Sequence, residues 1–208
     1  MIRVVSFDVD GTLIDPVFAD LVWNQGIPEL YAEKEGIDFD QAKKYVLKEY
    51  AKIGKDKIEW YDLDYWLRHF GLNRDYDEVL RNFRDKIRVY PEVTDVLNYL
   101  YKKYVLVISS NATKEFLDVE LEGLKDYFSK IFSSISDFNQ VRKSANFYSK
   151  ICQILKIEPS EMVHVGDQWE YDYLVPKELG INAYYLDRSS RKSGDDVITD
   201  LSELKNLI

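Results

Sequence analysis

Three apolar runs of strand length stop abruptly on small polar or acidic residues, and this repeated pattern restricts the fold more than any other feature of the chain. Ile2-Arg3-Val4-Val5-Ser6-Phe7 runs into Asp8-Val9-Asp10-Gly11, Tyr104-Val105-Leu106-Val107-Ile108 into Ser109-Ser110-Asn111, and Met162-Val163-His164-Val165 into Gly166-Asp167. Runs rich in β-branched and aromatic residues suit strands buried on both faces. Helical patterns separate them. Pro91 opens a helix with Val93, Val96, Leu97 and Leu100 along one face; others cover Phe116 to Leu124, Ala145 to Leu155, Trp169 to Leu179 (closed by Gly180) and Leu201 to Leu207. Ile131-Phe132 and Asn182 to Leu186 add further strands. This alternation predicts an α/β fold with a parallel sheet covered by helices.

Residues 17–88 interrupt the alternation. They have helical periodicity, many charges, and breaks at Gly26-Ile27-Pro28, Gly36, Gly54 and Gly71, which divides them into about four helices with no strand. The expected organisation is a core of residues 1–16 and 89–208 with a helical domain of residues 17–88 inserted after the first strand. The run Ser189 to Asp196 reads as a solvated polar loop.

Composition excludes several function classes. A formal net charge of −9 repels nucleic acid and acidic membranes, so neither is expected as a partner. No apolar run approaches the ~20 residues of a membrane-spanning helix, and the first residues do not read as a signal peptide. The single cysteine, Cys152, cannot form an intramolecular disulfide and suits a reducing cytoplasm. A phosphate ester would also be repelled, so a site for one must carry its own positive charge. Lys143 is a candidate; among 28 Lys and Arg residues a solvated surface charge is an equally open reading, with Arg142 beside it.

Ligands bind outside the carboxyl ends of the strands in open parallel sheets. If the three runs are neighbours, Asp8, Asp10, Ser109, Ser110, Asn111, Gly166, Asp167 and Asp172 converge on one crevice. Clustered carboxylates repel one another unless some stay protonated or a cation intervenes, and a hard, oxygen-preferring ion such as Mg²⁺ fits where phosphate is also bound. Asp8 could then attack phosphorus as a nucleophile, with Asp10 as acid and base. Asp167 and Asp172 taken alone would read as helix caps, but Asp8 ends a buried run, where an unpaired carboxylate is costly.

The four motifs resemble those of the haloacid dehalogenase-like hydrolases. Asp8-Val9-Asp10-Gly11-Thr12-Leu13 is similar to the family's first motif, Val107-Ile108-Ser109-Ser110-Asn111 to the second, Lys143 falls at the third, and Gly166-Asp167 with Asp172 is similar to the fourth; Tyr90-Pro91-Glu92-Val93 is similar to the return from cap to core. The likeness runs from Ile2 to Asp187. It implies a Rossmann-like core with an inserted helical cap, and a Mg²⁺-dependent phosphohydrolase acting on a small phosphorylated metabolite through an aspartyl-phosphate. It implies Asp8 as nucleophile and metal ligand, Asp10 as acid/base with its backbone carbonyl on the metal, Ser110 and the Asn111 backbone on the phosphoryl group, Lys143 between nucleophile and phosphate, and Asp167 and Asp172 at the metal. Ser144 stands where the family pattern has proline, and Ser109 competes with Ser110 for the second motif.

A dehalogenase of the same family generally lacks the second aspartate, so Asp10 favours a phosphatase. A phosphosugar mutase shares the core motifs, and a silent binding module would be expected to lack one of the acids. Trp23, Trp60, Tyr61, Trp66 and His69 read as the core of the helical bundle, His164 as packed inside its strand, and Cys152 as structural. Hinges are expected near Asp15-Pro16 and Val89-Tyr90.

Overall fold

Period-two alternation decides which face of the sheet each strand residue takes. The computed structural model describes residues 1–208. Strands β1 (Val4–Phe7), β2 (Val105–Ser110), β3 (Lys130–Ser133), β4 (Met162–Gly166), β5 (Asn182–Leu186) and β6 (Val197–Ile198) form one sheet of order β3-β2-β1-β4-β5-β6, with every pairing parallel. The helices are α1 (Val17–Leu21), α2 (Ile27–Glu35), α3 (Phe39–Ile53), α4 (Leu63–His69), α5 (Tyr76–Arg81), α6 (Val93–Tyr101), α7 (Lys114–Glu120), α8 (Ser134–Phe138), α9 (Ala145–Leu155), α10 (Val175–Glu178) and α11 (Leu204–Leu207). The chain therefore has the Rossmann-like α/β architecture. No helix is long and apolar enough to cross a membrane.

Val5 and Phe7 of β1, Leu106 and Ile108 of β2, and Val163 and Val165 of β4 pack with Val93, Val96, Leu97 and Leu100 of α6 on one face. Val4, Val107 and Met162 point to the other face, against Phe147, Ile151 and Cys152 of α9. The same alternation sends Ser6 and His164, which are in register across β1 and β4, toward α9, so polar side chains stand at core positions near the strand ends.

The helical segment begins with α1, which continues through a π-helical turn at Val22–Gly26 into α2. A side chain at Gly26 would collide with the Phe83 ring, at 2.7 Å from a built Cβ. Val22, Ile27, Val46, Leu63, Trp66 and Leu80 build a separate apolar cluster, and this cluster takes in Phe116 and Val119 of α7. Leu117 of the same helix packs on the sheet, so α7 serves both clusters. The chain leaves and re-enters the sheet region through two adjacent segments: Ile14 bridges Val89, Asp15 N donates to Arg88 O at 2.8 Å, and Tyr90 N donates to Leu13 O at 3.1 Å.

Several boundaries differ from expectation. Strand β2 does not end at Ile108: Ser109 and Ser110 continue it because they pair with Phe132 and Ser133 of β3. Helix α7 stops at Glu120 rather than Leu124, and the chain then turns into a short 3₁₀ segment, Lys125–Tyr127. Helix α8 and strand β6 went unanticipated because elements that short carry no measurable periodicity. Ser144 caps α9, its Oγ accepting from Phe147 N at 3.2 Å, which gives a local reason for serine where the family pattern has proline.

Trp66 has no exposed surface, and its ring stacks on Phe70. Trp66→Ala is expected to cost about 3–5 kcal/mol through the cavity it leaves; urea unfolding followed by circular dichroism measures it, and a loss under about 1 kcal/mol would contradict this packing.

Candidate active site

Because β1 lies between β2 and β4, the carboxyl ends of the three strands that carry the motifs are neighbours. Carboxylate oxygens of Asp8, Asp167 and Asp172 lie within 4.8 Å of one another. Lys143 joins them from the loop before α9. Its Nζ donates to Asp8 Oδ1 at 2.6 Å, lies 2.5 Å from Asp172 Oδ1, and donates to the Ser109 carbonyl at 3.3 Å. It is fully buried, so it is not a solvated surface charge. Asn111 orients it: Oδ1 accepts from the Lys143 backbone N–H at 2.9 Å and from Ser134 Oγ at 3.2 Å. Arg142 turns elsewhere, toward Tyr171 OH at 2.6 Å and Asp56 Oδ1 at 2.5 Å.

Two glycines make this density of acids possible. A Cβ at Gly166 would sit 2.3 Å from Asp172 Cγ, and one at Gly11 would sit 2.4 Å from Asp167 Oδ2. Gly11 also has a φ of +76°, the left-handed region where a side chain is strained.

Behind the carboxylates is a buried polar chain. His164 Nε2 lies 2.9 Å from Asp172 Oδ1 and 3.0 Å from Tyr148 OH, while Nδ1 lies 2.9 Å from Ser6 Oγ. The Ser6 and Ser109 hydroxyls are 2.8 Å apart. Tyr148 OH donates to the Tyr171 carbonyl at 2.8 Å, and Asp172 Oδ2 accepts from Gln168 N at 3.0 Å. The Ser109 hydroxyl thus belongs to the interior, whereas Ser110 Oγ accepts from Ala112 N at 3.0 Å and keeps its proton free to donate. His164 is packed in its strand as expected, but it also holds Asp172.

Burial pushes the Asp8 carboxyl well above its ordinary range, against the pull of Lys143, and raises Asp167 as well. Burial also raises Asp10 to about 6, and the buried carboxyl of Glu120 is its neighbour. Asp172 goes the other way: burial opposes its ionisation, but the charge of Lys143 and the bond from His164 bring it down to about 2. Burial would strip the proton from Lys143, yet Asp172 and Asp8 outweigh it and keep the ammonium charged. Four carboxyls therefore face one cation, and Asp10 Oδ1 has no hydrogen-bond partner. An all-oxygen, electron-rich set of this kind fits a hard divalent ion such as Mg²⁺. A cavity of about 380 Å³ opens beside Asp167 and Gly11, with Arg188, Arg191 and Lys192 in its wall.

Glu120 was not singled out by the motifs. It is 2% exposed, neither side-chain oxygen has a partner, and burial together with Asp10 raises its pKa well above the ordinary value. Glu115 and Asp118 stand on the same helix, so the signal in the sequence is only that Glu120 falls three and four residues after the apolar Leu117 and Phe116. An acid with a raised folded-state pKa stabilises below its unfolded value, and that contribution is lost as pH rises through the folded value. Glu120→Gln removes the charge and keeps the shape, so it is expected to raise the melting temperature in EDTA more at pH 8 than at pH 5. Equal shifts at both pH values would contradict the buried-acid assignment.

A sequence profile of the haloacid dehalogenase-like hydrolases matches residues 2–180. Over 69 residues, 33% of this chain, the protein is 35% identical to the GMP/IMP nucleotidase YrfG of Escherichia coli; the match spans 31% of that protein. It is 26% identical to the phosphoglycolate phosphatase of Chromobacterium violaceum, over 100% of this chain and 96% of that one. The crystal structure of a phosphatase of the same family from Thermococcus onnurineus superposes with a TM-score of 0.85 at 26% identity, covering 99% of this chain and 97% of that chain. The fold is also that of a 2-haloacid dehalogenase from Pseudomonas syringae, with a TM-score of 0.71 at 22% identity over 100% of this chain and 98% of that one. The chain belongs to the haloacid dehalogenase-like hydrolases.

Proposed function

We propose that this hydrolase is a magnesium-dependent phosphatase of small phosphate monoesters that works through an aspartyl-phosphate, with the helical residues 17–88 as a cap over the cleft. The observation that carries this reading is the pairing of Asp8, held by Lys143 at 2.6 Å, with a second carboxyl at Asp10 whose pKa is raised to about 6. A dehalogenation needs no proton for a leaving alcohol, whereas ester cleavage does, and Asp10 is suited to give one near neutral pH. Phosphatases among the relatives support the same choice.

Asp8 attacks phosphorus as the bond to the leaving oxygen breaks, and Asp10 gives its proton to that oxygen. Asp10 then takes a proton from water, which attacks phosphorus and frees Asp8 and inorganic phosphate. The Ser110 hydroxyl and the Asn111 backbone hold the phosphoryl oxygens, and Lys143 offsets their charge. Asp172 engages both oxygens with Lys143, His164 and Gln168, so its part is to fix Lys143 and to stand behind Asp167. Asp8, Asp167 and the Asp10 carbonyl would hold magnesium, with Asp172 in support, and the ion would supply the charge that lets an anionic ester approach the carboxylates. The net charge of −9 argues for a small metabolite rather than nucleic acid, and the lone buried Cys152 for a reducing, cytoplasmic setting.

Phosphate release from a panel of small esters tests this reading. Activity is expected with Mg²⁺ and not with EDTA, to vanish in Asp8→Asn, and to fall roughly 10²–10⁴-fold in Asp10→Asn. Folded protein that binds Mg²⁺ and releases no phosphate from any ester would refute it.

A further inference from the structure

Gly11 is a necessary weak point of the first motif. Its missing side chain makes room for Asp167, and its φ of +76° suits glycine. The same freedom lets its backbone turn easily, and it adjoins Asp10. Its N–H donates to the Ile14 carbonyl at 2.7 Å. That N–H shares a planar peptide with the Asp10 carbonyl, so whatever holds Gly11 also aims that carbonyl.

A second restraint comes from Arg188, one residue beyond the stretch whose motifs resemble the family's. Its Nε donates to the Gly11 carbonyl at 3.2 Å, and its Nη2 donates to the Thr12 carbonyl at 2.7 Å and to Glu92 Oε1 at 2.6 Å. The guanidinium carbon lies 3.6 Å from the centroid of the Tyr90 ring. The Arg188 and Glu92 side chains are 21% and 15% exposed, so this is not a solvated surface pair. The loop that presents Arg188 is itself fixed. Asp187 is buried, and its carboxylate accepts from the backbone N–H groups of Ser189, Arg191 and Lys192. One guanidinium thus joins three segments: the loop after β5, the turn after Asp10, and the Tyr90–Glu92 stretch by which the chain returns from the helical residues. A lysine ammonium lacks the planar fork that makes these bonds together.

We infer that Arg188 is a positioning residue for Asp10: it holds the turn from Asp10 to Thr12 in the arrangement that presents the Asp10 carbonyl to magnesium. The inference rests on the magnesium-dependent phosphatase reading. Charge alone predicts the opposite effect. Arg188 lines the same cavity as Asp167, so its cation repels a divalent ion there, and losing it would tighten binding. Losing its hold on the turn would weaken binding.

Two measurements on the full chain test this: Mg²⁺ binding by titration calorimetry, and hydrogen–deuterium exchange of backbone amides. Arg188→Met is expected to weaken Mg²⁺ binding roughly 10–100-fold, the scale of losing an outer-shell partner of a metal ligand. It should also speed exchange at Gly11, Thr12 and Leu13, whose N–H groups bond within the turn, relative to the amides of β1. A merely structural role would speed both sets alike. Arg188→Lys keeps the charge and should lose most of the same affinity; it carries the test if Arg188→Met does not fold. Arg191→Met removes a cation from the same cavity wall and should leave exchange in the turn unchanged and Mg²⁺ binding unchanged or tighter. Three results overturn the inference and leave the phosphatase reading standing: Mg²⁺ binding unchanged or tighter in either Arg188 variant, no selective exchange at the turn, or an equal weakening in Arg191→Met. If the native chain binds no Mg²⁺, the magnesium-dependent reading fails. Exchange then decides the role of Arg188: selective speeding at the turn supports its hold, and none overturns it.

Discussion

The structure depends on one buried ammonium between two carboxylates. Lys143 is wholly withdrawn from water, at 2.5 Å from Asp172 and 2.6 Å from Asp8. Removing one partner of such a set strands a buried charge, which costs far more than the pair contributes. The surroundings are accordingly built to hold it. Asn111 fixes the lysine backbone, Ser144 starts the following helix, and His164 and Gln168 occupy the remaining positions around Asp172. The parallel sheet brings these groups together from segments far apart in the chain.

Most of the core was legible in the sequence because fully buried parallel strands are continuous apolar runs, and β1, β4 and β5 stand where those runs are. The end of β2 was not, since Ser109 and Ser110 look like loop residues until β3 pairs with them. Motif order marked Asp8, Asp10, Lys143, Asp167 and Asp172, and Asp8, Lys143, Asp167 and Asp172 do meet in one cluster. What motifs could not give is the support behind them. His164 reads as an ordinary strand residue, and Tyr148 as one aromatic on an amphipathic helix; their contact depends on which face of β4 meets α9. Glu120 is similar, because an acid in a short helix is usually solvated and only the packing on both sides of α7 buries it.

The polar chain from Ser6 through His164 to Asp172 also explains how the site stays ordered without a large apolar enclosure. Buried hydrogen-bonded groups cost little when satisfied and much when not, so this chain specifies one arrangement of its members. The buried unpartnered atoms are instead at Asp10, Thr12 and Glu120. Of these, Asp10 is the group proposed to meet the leaving oxygen.

Helix α7 has Leu117 in the sheet's apolar cluster and Phe116 and Val119 in the cluster of the helical segment. A shared wall of this kind links the two clusters energetically. Loosening one removes packing from the other, so substitutions on either side of α7 are not independent. Two bodies joined only by a pair of crossing strands would melt in separate steps; joined through a common helix, they are coupled toward melting as one cooperative unit.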